Sequence, residues 1–305
     1  MNSDGARAGG VRIGIQPTCW TNDDFPEIGD HYPYQQILDE MGVAGYVGGS
    51  TGHNYPPHPP SLVRELEKRQ LGITSTWVGT EFTLPDRFDA TLEYVRKQID
   101  FLKTVGATDI VVAELGGAVN LMRVKAVLKD RPILTEPQWY LLTEGLNAAG
   151  RLAKEYGMQL SYHPHVGTGV QDRNEIDRLF EETDPDAVGM CLDTGHAKFA
   201  YVDPVKLTID YASRITHVHL KNVRSAVLEK AAPGHYSFYR AIREGIFTVP
   251  GDPEGGINFT PIFEALRNAH YSGWIVVEAE QDPAMAQPMK YAKMARQFIR
   301  TNYGC

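Results

Sequence analysis

The sequence predicts a single (β/α)8 barrel. Three observations carry that reading: apolar runs of strand length alternate eight times with helical stretches, no shift of composition marks a linker, and metal-binding side-chain types end several of the strands. Active sites of such barrels lie at the carboxyl ends of their strands, so the type and the position of these residues agree. A chain of 305 residues is long for one domain, but α/β barrels of about 250 residues fold as single units.

The elements follow in order. Val11 to Pro17 reads as a buried first strand, followed by a loop rich in Asn, Asp, Pro and Gly from Thr18 to Tyr32. A helix over Tyr34 to Val43 leads to a strand over Gly45 to Gly49. The irregular stretch Ser50 to Pro60, rich in proline and histidine, occupies the place of a substrate loop. Leu62 to Gln70 is helical, Ile73 to Val78 a strand, and Arg87 to Val105 has the apolar spacing of a surface helix. Asp109 to Leu115, carrying Glu114, is the fourth strand. A Gly-rich, basic loop from Gly116 to Arg131 precedes a long helix from Glu136 to Tyr156, with Pro137 in its first turn. Strand five is Met158 to Pro164 and strand six Ala187 to Asp193, with a short helix, Asn174 to Glu182, between them. The helix Pro204 to Ala212 leads into strand seven, Ile215 to Lys221. Asn222 to Asn258 reads as a long loop with helical turns around Tyr236 to Glu244. Helix Phe259 to Ala269, strand Trp274 to Glu278 and helix Met285 to Asn302 complete the chain. The polar segment of residues 1–10 is expected to be disordered, leaving 11–305 as the barrel domain.

Composition excludes several function classes. A net charge of -8 and a pI near 5.7 do not suit a sequence-independent nucleic-acid binder, which needs basic surface to displace counterions; a small neutral polar molecule is the better partner. Cys19, Cys191 and Cys305 are widely spaced and form no CxxC pair, which fits reduced thiols in a cytoplasmic protein. No stretch has the apolar length of a membrane span or the centre of a signal peptide. Composition is equally compatible with a monomer, a homo-oligomer or a complex with a partner subunit.

The candidate site draws on the last four strands. A strand repeats every two residues, so His163 and His165 share a face, as do His217, His219 and Lys221. His163, Asp193, His219 and Glu278 end strands five to eight and would meet around one axis. Two nitrogen and two oxygen ligands suit Mn, Co, Fe or Zn better than Ca. Spacing leaves the choice open within each pair, since Glu280 shares a face with Glu278 as His165 does with His163. His196 is a substrate contact, an orienting partner of Asp193 or a helix cap. Lys221 reaches a substrate oxygen or is simply solvated, and Glu114 binds substrate or joins a buried ion pair. Trp20, Trp77, Phe82 and Trp274 read mainly as packing, with Trp20, beside a polar loop, the best candidate for a pocket wall.

These residues also carry a resemblance. Trp20-Thr21-Asn22-Asp23-Asp24, His163-Pro164-His165-Val166-Gly167-Thr168-Gly169-Val170-Gln171, Asp193-Thr194-Gly195-His196, His217-Val218-His219-Leu220-Lys221, the stretch Gly245 to Asp252, and Val277-Glu278-Ala279-Glu280-Gln281-Asp282-Pro283 keep one order from first strand to last. With them the chain resembles the xylose-isomerase-like TIM barrels of the sugar isomerase and epimerase group, and within it the inosose dehydratases, which act on 2-keto-myo-inositol. The resemblance implies that His163, Asp193, His219 and Glu278 hold a divalent metal, Mn2+ or Co2+ first, with Zn2+, Fe2+ or Mg2+ as alternatives. It further implies β-elimination of water from a keto-polyol, with Glu278, His196 and Lys221 in catalytic roles and Trp20, Asn22, Glu114, His165 and Glu280 at the substrate. A related isomerase, epimerase or keto-glycoside eliminase using the same enolate chemistry is the alternative. The wider group has Glu where His163 stands, and losing that carboxylate removes one of the two bases an epimerase would use. The chain departs from the dehydratase pattern at Pro164, Asn222, Asn258 and the loop Tyr46 to Pro60, differences expected at the substrate mouth.

Overall fold

The computed structural model describes residues 10–305; the segment expected to be disordered falls, apart from Gly10, outside the described residues. The chain runs β1 (Arg12–Ile15), α1 (Tyr34–Ala44), β2 (Gly48–Gly49), α2 (Pro59–Glu67), β3 (Gly72–Ile73), β4 (Trp77–Thr80), α3 (Phe88–Thr104), β5 (Asp109–Glu114) and α4 (Glu136–Glu155). It continues with β6 (Gln159–Tyr162), α5 (Arg173–Glu182), β7 (Val188–Asp193), α6 (Thr194–Phe199), α7 (Pro204–Asp210), β8 (Ile215–Leu220) and β9 (Asn222–Val223). The last elements are α8 (Ser225–Ala231), α9 (Phe238–Arg243), β10 (Phe247–Thr248), α10 (Thr260–Asn268), β11 (Trp274–Val277) and α11 (Pro288–Asn302).

Parallel pairing gives one sheet in the order β1-β11-β8-β7-β6-β5-β4, and β2 pairs in parallel with β3. The Val47 amide donates to the Ile13 carbonyl and so ties the entry of β2 to β1. The strands β5 and β7 are buried at every residue, as parallel strands covered by helices on one face and core on the other must be. Helix starts are set locally. Thr135 with Gln138 and Asp172 with Glu175 form capping boxes for α4 and α5.

Four stretches differ from the sequence reading. The second strand is only Gly48–Gly49, because its neighbours crowd it: a Cβ on Gly49 would lie 2.6 Å from the Ile15 carbonyl oxygen. The expected third strand, Ile73 to Val78, is broken into β3 and β4. Its middle, Thr74 to Thr76, bends toward the preceding loop, where Thr51 donates its amide to Ser75 and meets the Thr76 hydroxyl at 2.6 Å. The expected loop after β8 holds α8 and the antiparallel ribbon of β9 and β10 as well as α9. Finally, α6 starts at once after β7 because the Asp193 carboxylate accepts the His196 amide at 2.7 Å and caps it.

Glu114, at the end of β5, is placed by the structure as a loop anchor. Its carboxylate accepts from the Thr80 hydroxyl (2.9 Å), the Phe82 amide (3.0 Å), the Thr83 amide and hydroxyl (3.2 and 2.8 Å) and the Gly116 amide (3.1 Å). Burial pushes its pKa up, against the pull of these donors. It is neither an ion-pair partner nor part of the pocket described below. Glu114→Ala leaves buried donors unpaired, and the expected loss is at least about 3 kcal/mol in urea denaturation. A loss below about 1 kcal/mol would show that the loop does not depend on this carboxylate.

Candidate active site

The strand ends bring four side chains together. His163 follows β6, Asp193 ends β7, His219 lies in β8 and Glu278 follows β11; one ligand atom from each lies within 4.8 Å of the others, and all four residues are buried. At that spacing these four residues would be able to share one divalent ion after small adjustments of their side chains. His219 Nδ1 and Glu278 Oε2 lie 2.5 Å apart, yet neither makes a hydrogen bond of acceptable geometry. Two buried polar atoms facing each other in this way fit a shared cation, a proton or a metal ion. Burial disfavours charge on His219, but Cys191, Glu278 and Asp193 hold its pKa well above the ordinary value, a sign of how strongly the cluster attracts positive charge.

Behind these groups sits Lys221, with no exposed surface. Its ammonium donates to Glu278 Oε1 (2.8 Å) and Glu280 Oε2 (2.7 Å), meets His196 Nε2 at 2.8 Å and lies 3.5 Å from Asp193 Oδ2. All three N–H groups are therefore committed. Burial opposes its charge, but Asp193, Glu278 and Glu280 outweigh that and keep it protonated. For Glu278 burial acts in the raising direction, and Lys221 and His219 overcome it, holding the carboxyl well below the usual range. Gly195 admits the lysine stem: a Cβ there would lie 2.5 Å from Lys221 Cγ.

A pocket opens over the cluster, lined among others by Gln16, Ser50, Thr51, Ser75, Trp77, His165 and Glu280, together with His163, His219 and Glu278. The aromatic wall is Trp77, 38% exposed and edge-on to His163 with ring centroids 5.1 Å apart. Trp20, expected in that role, is fully buried and donates its indole N–H to Glu40 at 2.6 Å. Asn22 is buried too, its side-chain oxygen accepting the Phe25 amide at 2.8 Å. These two pin the loop after β1. The acids that follow them, Asp23 and Asp24, line the pocket where Trp20 and Asn22 were expected.

His165 does face the pocket. Its Nδ1 donates to the Val166 carbonyl at 2.8 Å, which leaves Nε2 as a bare acceptor. Burial and the neighbouring His196 and His163 push its pKa well below the ordinary histidine value. His196 lies against it, tilted, with ring centroids 3.8 Å apart, and accepts from Lys221; neither His196 nor Lys221 is among the residues lining the pocket. The departures at Asn222 and Asn258 are not at the mouth. Asn222 accepts the Val223 and Ile257 amides, and Asn258 accepts the Thr260 amide at the start of α10. Ser50 and Thr51 do line the pocket, as a substrate loop should. Among the described residues, no helix is long and apolar enough to cross a membrane.

Parallel strands ringed by helices, with a buried His-Asp-His-Glu set at the strand ends, define a sugar-isomerase type of barrel, and the model of one family matches residues 37–302: the chain belongs to the xylose isomerase-like TIM barrel family. It is 46% identical over 294 residues to an inosose dehydratase of Geobacillus thermodenitrificans, an alignment covering 96% of this chain and 98% of that one. Among solved structures it is similar in fold to a D-allulose 3-epimerase from Methylomonas sp. in complex with D-allulose (TM-score 0.69, 16% identity, 98% and 99% of the two chains). A probable 3-DHS dehydratase from Bacillus anthracis is equally close in fold (TM-score 0.69, 16% identity, 95% and 99%).

Lys221→Met would leave the buried carboxylates without their ammonium. The expected cost in metal-free protein is on the order of 3–5 kcal/mol in urea denaturation, and an added divalent ion should then stabilise the variant more than the parent. A variant as stable as the parent in chelator would show that the lysine charge does not hold the cluster together.

Proposed function

We propose that the chain is a hydro-lyase that removes water from a keto-polyol of the 2-keto-myo-inositol class. The observation that carries the reading is the convergence of His163, Asp193, His219 and Glu278 beneath a polar pocket, and the 46% identity to an inosose dehydratase supports the substrate class. These four residues would hold a divalent ion, for which the donor set suits Mn2+, Co2+, Fe2+ or Zn2+ and the family resemblance puts Mn2+ or Co2+ first; such an ion would supply Lewis-acid polarisation of a carbonyl. The remaining roles fall to the protein. Hydroxyl and amide groups of Gln16, Ser50, Thr51 and Ser75 offer hydrogen bonds to a ring rich in hydroxyls, Trp77 gives it an apolar wall, and His165 Nε2 accepts from a substrate hydroxyl. Lys221 and His196 act as positioning residues by fixing Glu278 and Glu280.

Elimination is favoured over epimerisation by the state of the carboxylates. An epimerase profits from a base on each face of the carbon. Here His163 stands at one ligand position, Asp193 uses one oxygen to cap α6, and Glu278 is held in its ionised form by Lys221 and His219. A group so stabilised as an anion is a weak base. The test is incubation of Mn2+- or Co2+-loaded protein with 2-keto-myo-inositol, following diketone formation by ultraviolet absorbance. Turnover is expected, with a loss of at least about 100-fold on chelation and recovery on adding the metal back. Epimerisation of a ketohexose without dehydration of the inosose would overturn the assignment, and undiminished turnover in chelator would overturn its metal dependence.

A further inference from the structure

We infer that Asp24 is the acid–base residue of the elimination, taking the α-proton of the substrate and returning it to the departing β-hydroxyl. The inference rests on the dehydratase reading and adds the group that reading lacks. Four carboxylates line the pocket: Asp23, Asp24, Glu278 and Glu280. Three are in ion pairs, Asp23 with His53 at 2.7 Å and Glu278 and Glu280 with Lys221. Asp24 is half-buried and lines the same pocket, has no ion pair among the described residues and takes a hydrogen bond from the Asn120 side chain.

Its placement is built rather than incidental. The 3-10 turn Pro17–Cys19 follows β1, Trp20 locks to Glu40, and the Asn22 side chain closes a turn on the Phe25 amide. Phe25 then packs on Phe238 and Tyr239, so both sides of Asp24 are anchored while its carboxyl faces the cavity. Burial, then the negative charges of Glu280 and Asp23, push its pKa up to about 7, against the pull of Lys221 and the Asn120 amide. A group that titrates near neutrality is poised both to take and to give a proton.

The step balances. The α-C–H bond breaks with its proton passing to the Asp24 carboxylate, and its electron pair forms the enolate and then the new C=C bond. The β-C–O bond breaks with its pair on oxygen, and the proton held by Asp24 turns the leaving group into water. No oxidant or reductant is consumed, and Asp24 ends as it began. One residue doing both transfers requires that hydrogen and hydroxyl leave from the same face.

The experiment compares full-length, metal-loaded parent, Asp24→Asn and Asp24→Glu on 2-keto-myo-inositol. Asn should lower kcat by about 10²- to 10⁴-fold with unchanged metal content, abolish exchange of the α-proton with D2O seen by NMR, and remove the limb of the pH profile nearest neutrality. Glu should recover part of each. An active parent with Asp24→Asn within about threefold of it, or with anti elimination, overturns the role of Asp24 alone. A parent inert on the inosose overturns the dehydratase assignment and this inference with it.

Discussion

A fully buried ammonium among three carboxylates is the constraint on which the rest of the structure depends. Lys221 meets Glu278, Glu280 and, at longer range, Asp193, and these groups come from β7, from the residue just after β8 and from the segment after β11. Such an arrangement is costly to bury and is strongly destabilised when one partner is removed. It requires Gly195, whose missing side chain makes room for the lysine stem. It also requires α6 to start where it does, since Asp193 divides its oxygens between the helix cap and the cluster. Formal charges suit a divalent ion: with His219 neutral, three negative charges against one positive leave two negative charges, which such an ion would cancel.

The same economy separates silent carboxylates from available ones. Glu114 is as buried as the ligands, but its hydrogen bonds all go to protein donors, and it shapes the loop beyond β5 without reaching the cavity. Burial raises both Glu114 and Asp24. What distinguishes them is what surrounds the oxygens, since Asp24 has neighbouring negative charge and open space where Glu114 has amides and hydroxyls. Perturbed titration marks a functional group only where the group can also touch a ligand.

The barrel was legible because its signals are local: apolar runs of strand length, helical spacing between them, and caps such as Asp172 with Glu175. The four metal-ligand candidates were legible because strand ends in this fold converge whatever the loops do. Reading failed where neighbours distant in sequence decide the outcome. Nothing local says that Trp20 will turn inward to Glu40 while Trp77 stays on the pocket wall. The break between β3 and β4 depends on Thr51, and the roles of Lys221 and His196 depend on Glu280, far along the chain. Asn222 and Asn258, expected at the mouth, hold backbone amides instead: Asn258 the nearby Thr260 amide, and Asn222 that of Val223 together with that of Ile257, which a distant segment brings to it.

A neutral side chain at His163 would connect the proposed metal cluster to Asp24, the proposed acid–base residue. With histidine there, the ligands, Glu280, Lys221 and a divalent ion sum to zero formal charge. A carboxylate in its place would leave the assembly negative and raise the cost of forming a second anion on the same wall. Asp24 must become an anion at each turnover if it is to take a proton. A neutral cluster makes that anion easier to form than a negative one would, which favours proton abstraction. An imidazole at that ligand position would therefore do more than remove a base of the epimerase kind: it would ease formation of the Asp24 anion that the proposed elimination needs.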